Sequence, residues 1–135
     1  MNIGIIGSGY VGLVAAACFA EMGNIVNCVD INKKRIALLN KGIVPIYEPG
    51  LDTLVINNFN KKRLFFSTNI IDALSNCKAV FIAVGTPTGN DGSADLKYVL
   101  DVASSIGEKL SSHIVVVDKS TVPIGTAEKV RNTIQ

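Results

Sequence analysis

Three glycines in six residues mark the first place where chemistry can happen: Gly7-Ser8-Gly9-Tyr10-Val11-Gly12, directly after the apolar run Ile3-Gly4-Ile5-Ile6. Between a strand and a helix, this spacing gives each glycine a task. Gly7 permits a tight turn, Gly9 lets the backbone approach a pyrophosphate, and Gly12 lets the helix pack close to the strand. The unpaired N–H groups and positive dipole end of such a helix would face the phosphates, with Tyr10 and Val11 at its start. A GxGxxG alone is a weak signal, and its placement between an N-terminal strand and a helix makes it specific. The second requirement is an acid at the end of the next strand. Asp30 follows Gly12 at close to the ~20 residues expected for a ribose contact. Its carboxylate can accept from both adenosine ribose hydroxyls and would repel a 2′-phosphate, which favours NAD over NADP. Lys33, Lys34 and Arg35 keep NADP open as the lesser alternative. Asp30 also fits a helix-entry turn, and Arg35 also fits an exposed helix face.

Two further loops carry hydroxyls. Thr86 lies in Val84-Gly85-Thr86-Pro87-Thr88, and Thr121 in Asp118-Lys119-Ser120-Thr121-Val122-Pro123. Each precedes a proline directly or after one residue, which holds the backbone extended. On position alone they serve equally well as strand terminators or as hydroxyls facing a ribose, a phosphate or an ordered water. Cys18, Cys28 and Cys77 are far apart, lack CxxC spacing and sit among apolar residues. They read as buried free thiols in a reducing compartment, and no metal is expected. His113, the single histidine, precedes the last strand at the end away from the other loops, so a general base is not expected there.

These groups need a scaffold that brings distant loops to one edge. Ile3–Ile6, Ile25–Val29, Leu64–Phe66, Ala79–Val84 and Ile114–Val117 read as strands, and the last two are continuously apolar, as expected for strands covered on both faces. Helices are expected over Val11–Met22; after an Asn32 cap, with Ile36 and Leu39 inward and Gly42 as the stop; after Pro49, with Leu51, Leu54 and Val55 on one face; and from Asp95, with Val99, Val102 and Ile106. Val130 and Ile134 begin a last one. Gly42–Gly50, with Pro45 and Pro49, reads as the longest break, an ordered surface loop. Alternating strands and helices with short connections imply right-handed βαβ units. The expected fold is α/β, a Rossmann-type doubly wound parallel sheet of order 3-2-1-4-5, forming one domain over residues 1–135. Its switch point, between strands one and four, opens the crevice where ligands bind.

Composition narrows the function classes. With 48% hydrophobic and 18% charged residues the chain fills a core and is not disordered. A formal charge of +2 and basic triplets without interleaved aromatics disfavour nucleic acid. The apolar runs fall short of the ~20 residues that span a bilayer, so no membrane partner is expected. Asn2 leads straight into the first strand with no basic leader, so cytoplasmic residence is expected.

The glycine turn and the two threonine loops combine with Pro45-Ile46-Tyr47-Glu48-Pro49-Gly50-Leu51, Ala94-Asp95-Leu96 and Lys119-Ser120-Thr121-Val122-Pro123-Ile124-Gly125-Thr126. In order and spacing these motifs closely resemble the UDP-glucose/GDP-mannose dehydrogenases, over essentially the whole chain. The resemblance implies oxidation of the C6 alcohol of a nucleotide sugar to a carboxylate with two NAD. It implies Gly7, Gly9, Tyr10, Val11 and Gly12 at the pyrophosphate, and Asp30 and Arg35 at the adenosine ribose. Thr86 and Thr121 would lie along the cofactor, with Thr121 also near the catalytic water; Glu48 receives no role. The family continues with a sixth strand, a connecting helix through which its members oligomerise, and a sugar-binding domain that carries the cysteine nucleophile and its lysine. None of these precedes Gln135, so the expectation is a five-stranded sheet that lacks its sixth strand by truncation and binds cofactor without turnover. The nucleotide-sugar partner would need the missing domain, and a homo-oligomer is possible only for the longer protein. The Tyr-Glu-Pro-Gly-Leu run leans towards UDP-glucose, with GDP-mannose or UDP-N-acetylmannosamine as the alternatives. A free-standing dinucleotide sensor is the reading from another class, and the Lys-Ser-Thr-Val-Pro loop argues against it, since a sensor has no need of that loop.

Overall fold

Short apolar runs separated by helical stretches fold into five strands: β1 (Asn2–Ile6), β2 (Ile25–Val29), β3 (Leu64–Ser67), β4 (Ala79–Ile82) and β5 (Val115–Asp118). They belong to a computed structural model that describes residues 1–135. Every neighbouring pair is parallel, and the order is β3-β2-β1-β4-β5, the expected doubly wound arrangement. Five helices connect them, α1 (Tyr10–Glu21), α2 (Lys33–Asn40), α3 (Leu51–Asn60), α4 (Ile70–Leu74) and α5 (Lys97–Lys109), and α6 (Thr126–Ile134) follows β5.

Side-chain alternation along the strands divides the core into two apolar clusters. Ile3 and Ile5 of β1 join Leu13, Ala16 and Ala20 of α1, Leu39 of α2 and Val55 of α3 in one cluster. Ile6 of the same strand joins Leu74 of α4, Val99, Ala103 and Ile106 of α5 and Val130 of α6 in the other. Register follows from this burial: Ile3 pairs with Val26 and Ile5 with Cys28, so a one-residue slip would exchange the two clusters. Asn32 caps α2 as the sequence predicts, its Oδ1 accepting from the Arg35 N–H at 3.0 Å. Asp95 lies one residue ahead of the α5 cap position, Leu96, and its Oδ1 accepts from the Lys97 N–H at 2.9 Å.

Four expectations are corrected. β5 has no buried residue, and Val115 is 54% exposed, because β5 is an edge strand covered on one side only. Helix α4 was not foreseen; its five residues carry no readable period, and it is set by an Asn69 cap and by a close approach to β1. A Cβ at Gly4 would lie 2.0 Å from the Ala73 carbonyl oxygen, so that strand glycine is what admits α4. The longest stretch between elements runs from 83 to 96 rather than through Gly42–Gly50. Cys28 and Cys77 are buried, whereas Cys18 is exposed. Its α1 position faces away from the sheet.

Candidate functional site

At the carboxyl end of β1 the chain turns through Gly7, whose φ of 111° is open to glycine and whose N–H donates to the Val29 carbonyl at 2.8 Å. A Cβ at Gly7 would lie 2.3 Å from the Ala83 oxygen, and one at Gly12 would lie 1.9 Å from the Gly7 oxygen. These two glycines are demanded by the fold itself, through turn geometry and helix–strand contact. Gly9 is different. A Cβ there would meet nothing within 4 Å, and its φ of −71° suits any residue. Nothing in the protein's own packing requires glycine at position 9, and the space beside it stays open to whatever approaches the turn. Helix α1 begins at Gly9 with no side chain capping it, which leaves its first N–H groups and its positive dipole end for an anion. Tyr10 and Val11 stand half-exposed beside it.

Asp30 ends β2 facing this turn. Its Oδ2 accepts from the Ser8 N–H at 2.8 Å, from the Ser8 hydroxyl at 2.7 Å and from Arg35 Nη1 at 3.4 Å, and its Oδ1 accepts from the Asn32 N–H at 2.9 Å. Partial burial pushes the carboxyl up, but the Asn32 and Ser8 donors and the Arg35 charge outweigh it and hold the group below the usual carboxylate range. It is therefore ionised at neutral pH and already oriented.

Three hollows join along the carboxyl edge of the sheet. The first, about 490 Å³, lies beyond Asp30 between Ile31, Ile70, Tyr98 and Val102. A middle one of about 290 Å³ shares Asp30, Ile31 and Tyr98 with it and reaches Gly7, Gly9 and Val84. The third, about 260 Å³, runs from Gly9, Tyr10 and Val11 to Thr86, Lys119 and Thr121. The sequence-predicted residues other than the buried Gly12 thus line one trough, which crosses the switch point between β1 and β4. Its outer end is apolar and open, its middle carries the carboxylate and the helix N-terminus, and its far end carries hydroxyls and a lysine. That order suits a purine, a ribose with two phosphates, and a second nucleoside.

The far end is built by two loops stitched together. The Thr86 hydroxyl donates to the Thr121 carbonyl at 2.8 Å, and the Ser120 hydroxyl donates to the Val84 carbonyl at 2.9 Å. Thr86 therefore faces the other loop and leaves its oxygen lone pairs for a ligand, while the Thr121 side chain remains unengaged and exposed. Over the near side, the Tyr10 hydroxyl donates to Glu48, which ties the 41–50 loop to the start of α1 and raises the phenol above its ordinary value, chiefly through that bond. Sequence reasoning missed Ser8, Ile31, Ile70 and Tyr98. Ile31 carried a signal, an apolar residue directly after Asp30, and it stands 87% exposed. Ser8 lies inside the glycine motif without any mark of its role, and Ile70 and Tyr98 come from elements remote in sequence. His113 is exposed before β5, at the end of the sheet opposite the trough, and no three His, Cys, Asp or Glu side chains cluster closely enough to hold a metal. No helix is long and apolar enough to cross a membrane.

Comparison with known proteins places this geometry. Residues 1–135 match the family described as UDP-glucose/GDP-mannose dehydrogenase family, NAD binding domain. The chain is 52% identical to the UDP-glucose 6-dehydrogenase of Pseudomonas aeruginosa, over all of this chain and 30% of that protein. It is 49% identical to the UDP-glucose 6-dehydrogenase TuaD of Bacillus subtilis, over 99% of this chain and 29% of that one. Among solved structures, a ternary complex of GDP-mannose dehydrogenase from Pseudomonas aeruginosa superposes with a TM-score of 0.95 at 38% identity, covering 99% of this chain and 32% of the other. The chain spans about 30% of the length of the relatives it matches. By its motifs, its sheet order and these matches, the chain belongs to the UDP-glucose/GDP-mannose dehydrogenase family and corresponds to its NAD-binding domain.

Proposed function

We propose that the trough binds NAD and that the whole protein is a UDP-glucose 6-dehydrogenase, converting UDP-glucose and two NAD to UDP-glucuronate. The observation that carries the cofactor reading is the empty space at Gly9, opposite an ionised Asp30: a backbone cradle for phosphates beside a fixed ribose acceptor. Bound there, the nicotinamide would accept hydride from the sugar. The chain's own contributions are binding and orientation. The α1 N-terminus with Gly7, Gly9, Tyr10, Val11 and Gly12 would take the pyrophosphate, Asp30 and Arg35 the adenosine ribose, and Ile31, Ile70 and Tyr98 the adenine. Thr86 and Thr121 would orient the nicotinamide riboside, with Thr121 positioning water. UDP-glucose is supported over GDP-mannose by the 52% and 49% identities to proteins named for it, although a GDP-mannose dehydrogenase superposes closely. Cytoplasmic residence, with three free cysteines, belongs to the same proposal, as does a homo-oligomer that contacts the nucleotide sugar through parts outside residues 1–135.

Calorimetric titration with NAD and with NADP tests the cofactor reading. NAD should bind much more tightly than NADP, and Asp30→Ala should weaken NAD by roughly 10- to 100-fold, the worth of hydrogen bonds to a charged group. A folded chain that binds neither would overturn it. For the sugar, NADH formation by the whole protein with UDP-glucose but not with GDP-mannose is the expected result.

A further inference from the structure

We propose that Ser8 is a positioning residue: its buried hydroxyl locks the Asp30 carboxylate in the orientation that selects a dinucleotide with a free 2′-hydroxyl. The inference deepens the NAD-binding reading above and rests on it.

Ser8 is the single fully buried hydroxyl of the glycine turn, at 0% exposure. A buried hydroxyl needs a partner, and this one spends its proton on Asp30 Oδ2 at 2.7 Å, while its own N–H reaches the same oxygen at 2.8 Å. With the Asn32 N–H on Oδ1 at 2.9 Å, these two donors on Oδ2 hold both oxygens of the carboxylate in place. The acceptor count then decides where a ligand can bind. A carboxylate offers about four lone-pair sites. Oδ2 already serves the two Ser8 donors and, at 3.4 Å, Arg35; Oδ1 serves only the Asn32 N–H at 2.9 Å. One ribose hydroxyl can therefore bond to Oδ1 directly. The two Ser8 donors, the shortest bonds and from a rigid turn, take both lone pairs of Oδ2, so the second hydroxyl is left to Arg35, the longest contact and the one free to turn towards it.

This arrangement separates the two cofactors. With Ser8 in place, the negative charge of Asp30 is held where a 2′-phosphate would sit, and Arg35 is the group that yields. Without the hydroxyl, Oδ2 keeps the Ser8 N–H and Oδ1 keeps the Asn32 N–H, but the vacated lone pair of Oδ2 draws in Arg35. The diol loses the guanidinium as a partner, and the closer ion pair masks the charge that repels a phosphate. Loss of the hydroxyl should weaken NAD and spare NADP.

The test is a double-mutant cycle of wild type, Ser8→Ala, Asp30→Asn and the double variant, titrated with NAD and NADP at neutral pH, with melting curves for each. Ser8→Ala should weaken NAD by roughly 5- to 20-fold, the loss of one charge-assisted hydrogen bond, and change NADP by less than about twofold. In the Asp30→Asn background the same substitution should leave NAD affinity within about twofold, since there is no carboxylate left to aim. An equal loss for both cofactors, or an undiminished loss in the Asp30→Asn background, would overturn the proposal and leave Ser8 a structural residue of the turn. If Ser8→Ala fails to fold, Ser8→Cys, which fills the space with a weaker donor, undergoes the same comparison. Wild-type protein that binds no NAD overturns the cofactor reading itself, and this inference falls with it.

Discussion

A methyl group at position 9 would touch nothing, whereas the same methyl at position 12 would lie 1.9 Å from the Gly7 oxygen. One motif therefore contains a glycine that the fold requires and one that, on the proposed reading, makes room for a ligand, and two substitutions separate them. Gly9→Ala should melt within about 1 kcal/mol of wild type, the scale of an N-cap exchange, while NAD affinity falls at least ~10-fold because the methyl occupies the phosphate cradle. Gly12→Ala should cost several kcal/mol, about 3 or more, since backbone meets backbone and no rotamer relieves it. Thermal melts alongside calorimetry decide; a Gly9→Ala protein that binds NAD normally would remove the cradle argument. Asp30 adds a pH signature. Its carboxyl is held below the usual range, so NAD affinity should stay level down to about pH 5 and fall only below about pH 4, the ordinary carboxylate value. Stability follows the same sign. The contribution of Asp30 is present above its unfolded value and is lost as pH falls through the lower folded one. Asp30→Asn should abolish that part of the acid slope in a melting series.

At the scale of elements, what sets the site is which loops are tied to which. Ser120 and Thr86 bind the loops after β4 and β5 to each other, and Glu48 binds the loop before α3 to the start of α1. The last tie predicts a spectroscopic change. Glu48 raises the Tyr10 phenol first by hydrogen bonding and further by its charge, so Glu48→Ala should let one phenol ionise earlier, towards pH ~10. Absorbance followed through an alkaline titration reports this directly, and an unchanged curve would mean that the tie does not exist in solution. Such ties also mark the limit of what the sequence discloses. The glycine turn and Asp30 were legible because each announces itself by local spacing after a strand. Ser8 sits inside that same motif, yet its role depends on a carboxylate 22 positions away that only the sheet brings to it. Tyr10 and Glu48, 38 positions apart, are invisible for the same reason. Helix α4 was hidden by its brevity, and Gly4, the residue that admits it, reads in isolation as an ordinary small residue in a strand.

For the molecule as a whole, strand order was legible because parallel βαβ units leave few topologies open, and at least one helix separates every strand from the next. Coverage of the sheet was not, since a run such as Ile114–Val117 has the same pattern whether one neighbour or two will pack beside it. β5 is the edge, and at its end Asp118 carries an unpaired cost. Its Oδ1 accepts from the Ser120 N–H at 3.2 Å, but its Oδ2 is buried without a partner. Desolvation outweighs the Ser120 bond and raises the carboxyl above its ordinary value. The folded state thus holds that proton more tightly than the unfolded chain. Its favourable contribution is complete below the unfolded value of about 4 and is lost as pH rises through the higher folded one. At neutral pH Asp118 is a charge with one bare oxygen at a sheet edge. Asp118→Asn removes the charge and keeps an oxygen for Ser120, so it should raise the melting temperature at pH 7 by roughly 1–3 °C, the size expected of a fraction of a kcal/mol in a domain this large. Near pH 3 the wild-type group is protonated, and the two melting temperatures should converge. A difference that persists unchanged from pH 7 to pH 3 would show that packing, not desolvated charge, separates the two proteins.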